Sequence, residues 1–186
     1  MMNEDYEAAE QVAKENLARI MILMPPDLTM REDTIYKRFV AAKESCIEKL
    51  NKLYILMDDL YAFFHKFTPC GKGCNYCCYI EISISTLEAE YIENNLGIRQ
   101  TRNLDRKDFY GTPCPFLDQG ACSIYKYRPF VCRQHVALFD NPKWCQLDLP
   151  HRYEFTNIRF TEVVKSYYLI VRDSGDFSFY DIRQLF

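Results

Sequence analysis

A chain of 186 residues is long enough for one compact domain with a substantial core. Its 48% hydrophobic and 26% charged residues are an ordinary globular balance. The 23 basic and 26 acidic side chains leave a net charge of −3, so no global field favours nucleic acid or an anionic membrane as partner, and six glycines leave little material for phosphate-binding loops.

The opening Met1-Met2-Asn3-Glu4-Asp5-Tyr6-Glu7 is acidic and lacks the basic and apolar regions of a secretory signal. No run of 18 apolar residues occurs, and residues 20–24 and 53–57 are too short to span a bilayer. The expected location is therefore cytoplasmic, where thiols stay reduced. There, nine cysteines point to metal or redox chemistry rather than to disulfides.

Residues 4–24 predict a helix with Val12, Ala13, Leu17, Ile20 and Met21 on one face, stopped by Pro25-Pro26. Thr29-x-x-Glu32 predicts a capping box for a second helix over residues 31–67. Its apolar positions, among them Ile35, Phe39, Cys46, Leu50, Leu53, Leu60 and Phe64, recur at steps of three and four, and its length leaves room for a break. The two helices would pack over the cysteine-bearing segment and offer the surface for a protein partner. Thr68-Pro69 ends the second, and the alternation over residues 79–84 predicts a short strand. Ser85-x-x-Glu88 is a capping box for a helix over residues 86–96, closed by Gly97. Residues 98–112 read as loop. Asp118-Gln119-Gly120 turns a small hairpin between residues 116–117 and 122–125. Pro129 suits the first turn of a short helix carrying Cys132, Arg133 and His135. Residues 140–152 read as loop, with Cys145 in it. Phe160, Val163, Val164, Tyr167, Tyr168 and Val171 share one helical face, and residues 176–182 read as a terminal strand. With no repeat or linker, residues 1–186 form a single domain: an N-terminal helical region over residues 1–67, a cysteine-bearing core over 68–146, and a C-terminal helix and strand over 147–186. The expected fold is an α-rich α+β arrangement in which helices flank a small irregular metal centre with a short β element.

The cysteines carry the chemistry. Thiolate is a soft ligand, and several must converge to hold a metal or cluster. Cys70-x3-Cys74-x2-Cys77-Cys78 places four in nine residues, with Gly71 and Gly73 letting the loop bend. Cys114, Cys122, Cys132 and Cys145 sit at turns or element ends. Cys46 stands apart, at an apolar helical position, and reads as core packing. Zinc favours paired C-x2-C knuckles, and only Cys74-x2-Cys77 has that spacing. The contiguous three-cysteine loop and Cys114-Pro115 favour an iron–sulfur cluster, with Zn2+ as the alternative. Arg128, Arg133 and His135 stand near the cysteines in sequence, where they could donate to sulfur or bind an anion. His65 and His151 lack such company.

The run from Cys70 to Cys78, then Pro113-Cys114-Pro115-Phe116-Leu117, Cys122-Ser123-Ile124-Tyr125 and Arg128-Pro129-x-x-Cys132-Arg133, resembles the YkgJ-type cysteine-cluster family, also called the CxxCxxCC zinc- or iron-chelating domain. The resemblance covers residues 68–146. Asp181-Ile182-Arg183 looks like the end of longer members. The first interval is x3 where the family name has x2. The resemblance implies eight metal ligands: Cys70, Cys74, Cys77, Cys78, Cys114, Cys122, Cys132 and Cys145. A branch of the family resembles flagellin lysine N-methylases, which is fold-level analogy alone.

Three functions compete at this point. The first is a metal or cluster protein with a redox, sensing or metal-handling role. The second is an S-adenosylmethionine-dependent protein lysine methylase. Cys70-x3-Cys74-Asn75-Tyr76-Cys77 matches a radical-SAM loop, but too little chain follows for that barrel, and Gly71-x-Gly73 does not follow a strand as a dinucleotide fingerprint would. The third is an interaction protein in which zinc is structural. Whether the centre turns over a substrate stays open.

Overall fold

The computed structural model describes residues 2–105, 108–146 and 156–186. Helix α1 (Met2–Leu23) stops before the two prolines, as expected. Ala9, Ala13 and Ile20 are its buried residues, whereas Met21 points outward.

Helix α2 (Pro26–Ala41) begins on Pro26, whose fixed φ and missing N–H suit a first helical position. The expected Thr29–Glu32 capping box does not form. Thr29 Oγ1 bonds back to the Pro25 carbonyl, and Glu32 Oε1 instead accepts from the amide of Glu162 at 2.8 Å. The single helix expected over residues 31–67 is in fact broken. The backbone turns extended at Ala42 (ψ 137°), and α3 (Cys46–Phe64) starts afresh on its own capping box. There the Glu48 amide donates to Ser45 Oγ (3.3 Å) and the Ser45 amide donates to Glu48 Oε2 (2.9 Å). A 3-10 turn, His65–Phe67, ends this helical region.

Strand β1 (Ser83–Ser85) is shorter than the strand expected over residues 79–84 and starts later, and residues Tyr76–Tyr79 form a 3-10 turn. Helix α4 (Thr86–Leu96) forms as read: Ser85 and Glu88 make the capping box, and Gly97 closes it at φ 67°, a left-handed position that glycine adopts freely. β2 (Leu117–Asp118) and β3 (Ala121–Cys122) form the hairpin, with Leu117 opposite Cys122. Its two central residues, Gln119 and Gly120, both have positive φ, the geometry a two-residue hairpin needs. Helix α5 (Phe130–Gln134) is short; Pro129 is its N-cap and His135 its C-cap. Helix α6 (Thr161–Asp173) buries Val163, Tyr167 and Val171, while Tyr168 faces outward. β4 (Phe179–Asp181) pairs antiparallel with β1, Ser83 opposite Asp181. A last turn, α7 (Ile182–Leu185), is capped by Asp181. The fold is the α-rich α+β arrangement expected. Among the described residues, no helix is long and apolar enough to cross a membrane.

Two apolar clusters hold these elements. The larger joins α1, α2, α3 and α6 through residues such as Ile20, Phe39, Leu53 and Ile170. The smaller gathers Ile82, Ile84, Ile92, Ile124, Ile182 and Leu185 around the short sheet and α7. Each fully buried Leu or Ile contributes about 1.5–3 kcal/mol. Helix α4 serves both, with Leu87 and Tyr91 in the first and Ala89 and Ile92 in the second. Their junction is a polar hub. The fully buried Glu88 carboxylate accepts from Tyr54 (2.7 Å), Tyr167 (2.5 Å), Ser85 and the Phe130 amide (2.7 Å), tying α3, α4, α5 and α6 together.

Candidate metal centre

The first cysteine loop is built by local hydrogen bonds. Thr68 Oγ1 accepts from the Cys70 amide (3.0 Å) and donates to the Ala137 carbonyl (2.5 Å). Tyr61 reaches from α3 to donate to the Cys70 carbonyl at 2.5 Å. Gly73, at φ 99°, lets the chain reverse, and the Cys74 amide closes the turn on Gly71. The 3-10 turn Tyr76–Tyr79 then carries Cys77 and Cys78 side by side. Asn75 Nδ2 donates to the Gly120 carbonyl at 3.2 Å, fastening this loop to the hairpin.

The second block is fastened to the first through backbone. The Cys114 amide donates to the Cys78 carbonyl at 2.8 Å. Arg183, on α7, adds three more bonds, from Nη2 to the carbonyls of Cys78 (2.9 Å) and Ile80 (3.0 Å), and from Nε to that of Pro113 (3.2 Å). Its charge is balanced by Asp181 at 2.9 Å, and both side chains are almost wholly buried. Asp181 in turn accepts from the Ile82 amide at 2.7 Å. Cys122 lies on β3 and Cys132 on α5, whose first amide is held by Glu88.

Seven of the eight expected ligands line one pocket: Cys70, Cys74, Cys77, Cys78, Cys114, Cys122 and Cys132. Its free space is about 770 Å³, including the region open to solvent. Cys145 is not in the lining. It ends a 3-10 turn, Pro142–Cys145, anchored by the buried Trp144 against Tyr6, and lies near enough to Cys70, Cys74 and Cys77 to feel their charge. Cys70 and Cys145 pack on the larger apolar cluster, and Cys78, Cys114, Cys122 and Cys132 belong to or pack on the smaller. All nine cysteines are free thiols. Among the described residues, no three Cys, His, Asp or Glu side chains are already drawn together as a closed ligand set.

Burial pushes the thiols of Cys70, Cys74, Cys122 and Cys132 up, Cys114 to about 11 and Cys145 to about 12. The Cys77 thiol is raised first by its hydrogen bond with Cys78 and then by burial. Neighbouring sulfurs add to the rise at most of these positions. A pocket of this kind resists holding bare thiolates, and a bound cation removes that resistance by displacing the protons.

His135 lines the pocket, and burial lowers its pKa, which favours a neutral imidazole. Arg133 is not in the lining. Its guanidinium lies over Tyr54, pairs with Asp58, and donates to the carbonyls of Arg128 (2.8 Å) and Lys126 (2.5 Å), so its donors serve the base of α5. Arg128 is in the lining, stacked on Tyr125, and its buried Nε has no hydrogen-bond partner among the described residues. Cys46, at the first position of α3, is half-buried against the larger cluster. His65 is exposed and bonded to the Ala62 carbonyl, and His151 lies outside the described residues.

The donor set fits a thiolate-bound metal or cluster: soft ligands on a shared pocket and, among the described residues, no carboxylate in its lining and a buried N–H with no partner. Sequence reading missed the residues that hold the loops, namely Tyr61, Glu88 as a hub, and the Asp181–Arg183 pair. The tripeptide from Asp181 to Arg183 was visible only as a resemblance, without its role. Helices and loops thus deliver an irregular pocket lined by cysteines. Residues 69–157 match the family model CxxCxxCC, "Putative zinc- or iron-chelating domain". No curated protein and no solved structure matches the chain.

Proposed function

We propose that the chain holds an iron–sulfur cluster on thiolates drawn from both cysteine blocks, and that it serves a redox, sensing or metal-handling role in a reducing compartment such as the cytoplasm. The observation that carries this reading is the pocket lined by seven cysteines and, among the described residues, no carboxylate. Four sulfurs satisfy a tetrahedral zinc, so one zinc ion would leave several of these thiols idle. A cluster draws four thiolates, and further thiols nearby suit a second centre or thiol exchange. The neighbours Cys77 and Cys78 then serve different irons or different centres, which adjacent residues do more readily than sharing one small ion. Bound, such a cluster exchanges single electrons. The protein's role is to bring Cys70, Cys74, Cys77 and Cys78 against Cys114, Cys122 and Cys132, to bring Cys145 in from the side, and to shield them with apolar residues and the neutral His135.

The test is iron and acid-labile sulfide per chain after anaerobic purification, together with the visible spectrum. The reading expects both elements and a band that bleaches on reduction. A colourless protein with stoichiometric zinc and no sulfide would replace it with the zinc-chelating reading.

A further inference from the structure

We propose that Arg128 is the positioning residue of this centre, donating its Nε–H to a metal-bound cysteine sulfur. The inference rests on the thiolate-metal reading of the pocket and assigns one residue's role in it.

The backbone of Arg128 is fixed from both sides. A 3-10 turn, Tyr125–Tyr127, precedes it, and Pro129, the N-cap of α5, follows. A residue before proline is steered away from helical ψ, and Arg128 has ψ 144°. Its carbonyl is held by Arg133 Nε at 2.8 Å. The side chain is equally constrained. The guanidinium carbon lies 3.9 Å from the Tyr125 ring centre and 5.5 Å from that of Tyr61. Stacking occupies the face of the planar group and leaves its in-plane N–H groups as polar outlets.

One of those outlets is unanswered. Arg128 is 9% exposed, and its buried Nε has no partner among the described residues. A buried donor left unpaired is destabilising, and more so when it belongs to a charged group. Among the described residues lining the pocket, Arg128 is the one Lys or Arg, and no Asp or Glu stands with it. The acceptors this pocket can supply in number are its sulfurs. Tyr61, whose ring also flanks the guanidinium, donates its hydroxyl proton to the Cys70 carbonyl. Several thiolates around a divalent ion or a cluster carry net negative charge, and a guanidinium beside them offsets some of it. A charge-assisted N–H···S bond answers both the orphan donor and the excess charge.

The test compares wild type with Arg128→Met, which keeps bulk without charge or donor, and Arg128→Lys, which keeps charge without the planar fork. Each is titrated with Zn2+ against a competing chelator and with Co2+ for its sulfur-to-metal charge-transfer band. Circular dichroism and thermal melting of each metal-free chain show whether it is folded. The proposal expects Arg128→Met to weaken zinc about 10- to 100-fold and to move the cobalt band to lower energy, with Arg128→Lys recovering some of the affinity. If either folded variant keeps wild-type affinity and an unshifted band, the proposal is overturned while the metal reading stands. Should wild type take up neither metal, both fall together.

Discussion

The backbone amide of Cys114 donates a 2.8 Å hydrogen bond to the carbonyl of Cys78. That bond joins the two cysteine blocks through main chain, and Arg183 Nη2 bonds the same oxygen at 2.9 Å. The register of the loops is therefore set by peptide groups and by a buried ion pair at the far end of the chain, independently of the sulfurs.

Arg183→Met should accordingly cost about 3–5 kcal/mol, because it leaves the Asp181 carboxylate buried without its cation. Adding Asp181→Asn to that variant should recover some of the loss. Urea unfolding of the single and double variants checks this. Equal and additive losses would show that the two side chains act separately.

Glu88→Ala removes the acceptor that Tyr54, Tyr167, Ser85 and the Phe130 amide share. With hydrogen bonds to a charged group at about 1.5–3 kcal/mol each and several donors orphaned together, the loss should reach about 3 kcal/mol or more. Tyr54→Phe, which removes one donor, should cost about 1–2 kcal/mol. Denaturation midpoints of the three proteins give the comparison. A Glu88→Ala loss no larger than that of Tyr54→Phe would contradict the hub.

The Glu88 case shows what was legible in the sequence. Ser85-x-x-Glu88 and Gly97 marked both ends of α4, because caps are local and depend on neighbours along the chain. That the same carboxylate also anchors α5 and two tyrosines depends on tertiary placement and left no local mark. Thr29-x-x-Glu32 misled for the complementary reason: the motif is present, but Pro26 had already opened the helix and Glu32 bonds to α6. Ser45-x-x-Glu48, which does start a helix, was overlooked inside a long apolar period. At the site, the cysteine spacing was legible because ligand loops are local. The stacking and burial of Arg128, and the diversion of Arg133 to Asp58, were not.

Glu32 supplies a pH test. Burial raises its pKa above the ordinary range, so the folded chain holds a proton there that the unfolded chain has lost. Stability from this group therefore falls as pH rises from about 4.3 through the raised folded value, and stays lower above it. Glu32→Gln should flatten that fall and be relatively more stable near neutral pH. Unfolding free energies measured across the window for both proteins decide it. Identical slopes would place the carboxyl in a solvated setting.

Cys46→Ala should cost about 1 kcal/mol, at the low end for core truncation, and leave metal content unchanged, since this thiol packs against the larger cluster at the start of α3. Metal analysis beside a thermal melt checks both halves. Loss of metal would make Cys46 a member of the centre.

The central claim, that both cysteine blocks serve one centre, is tested most directly by the metal content of Cys114→Ser and Cys132→Ser prepared anaerobically beside wild type. Both leave Cys70, Cys74, Cys77 and Cys78 intact. The account predicts that each loses most of its bound metal while keeping wild-type helicity. Full metal content in both variants would mean that the first loop binds alone, and would contradict it.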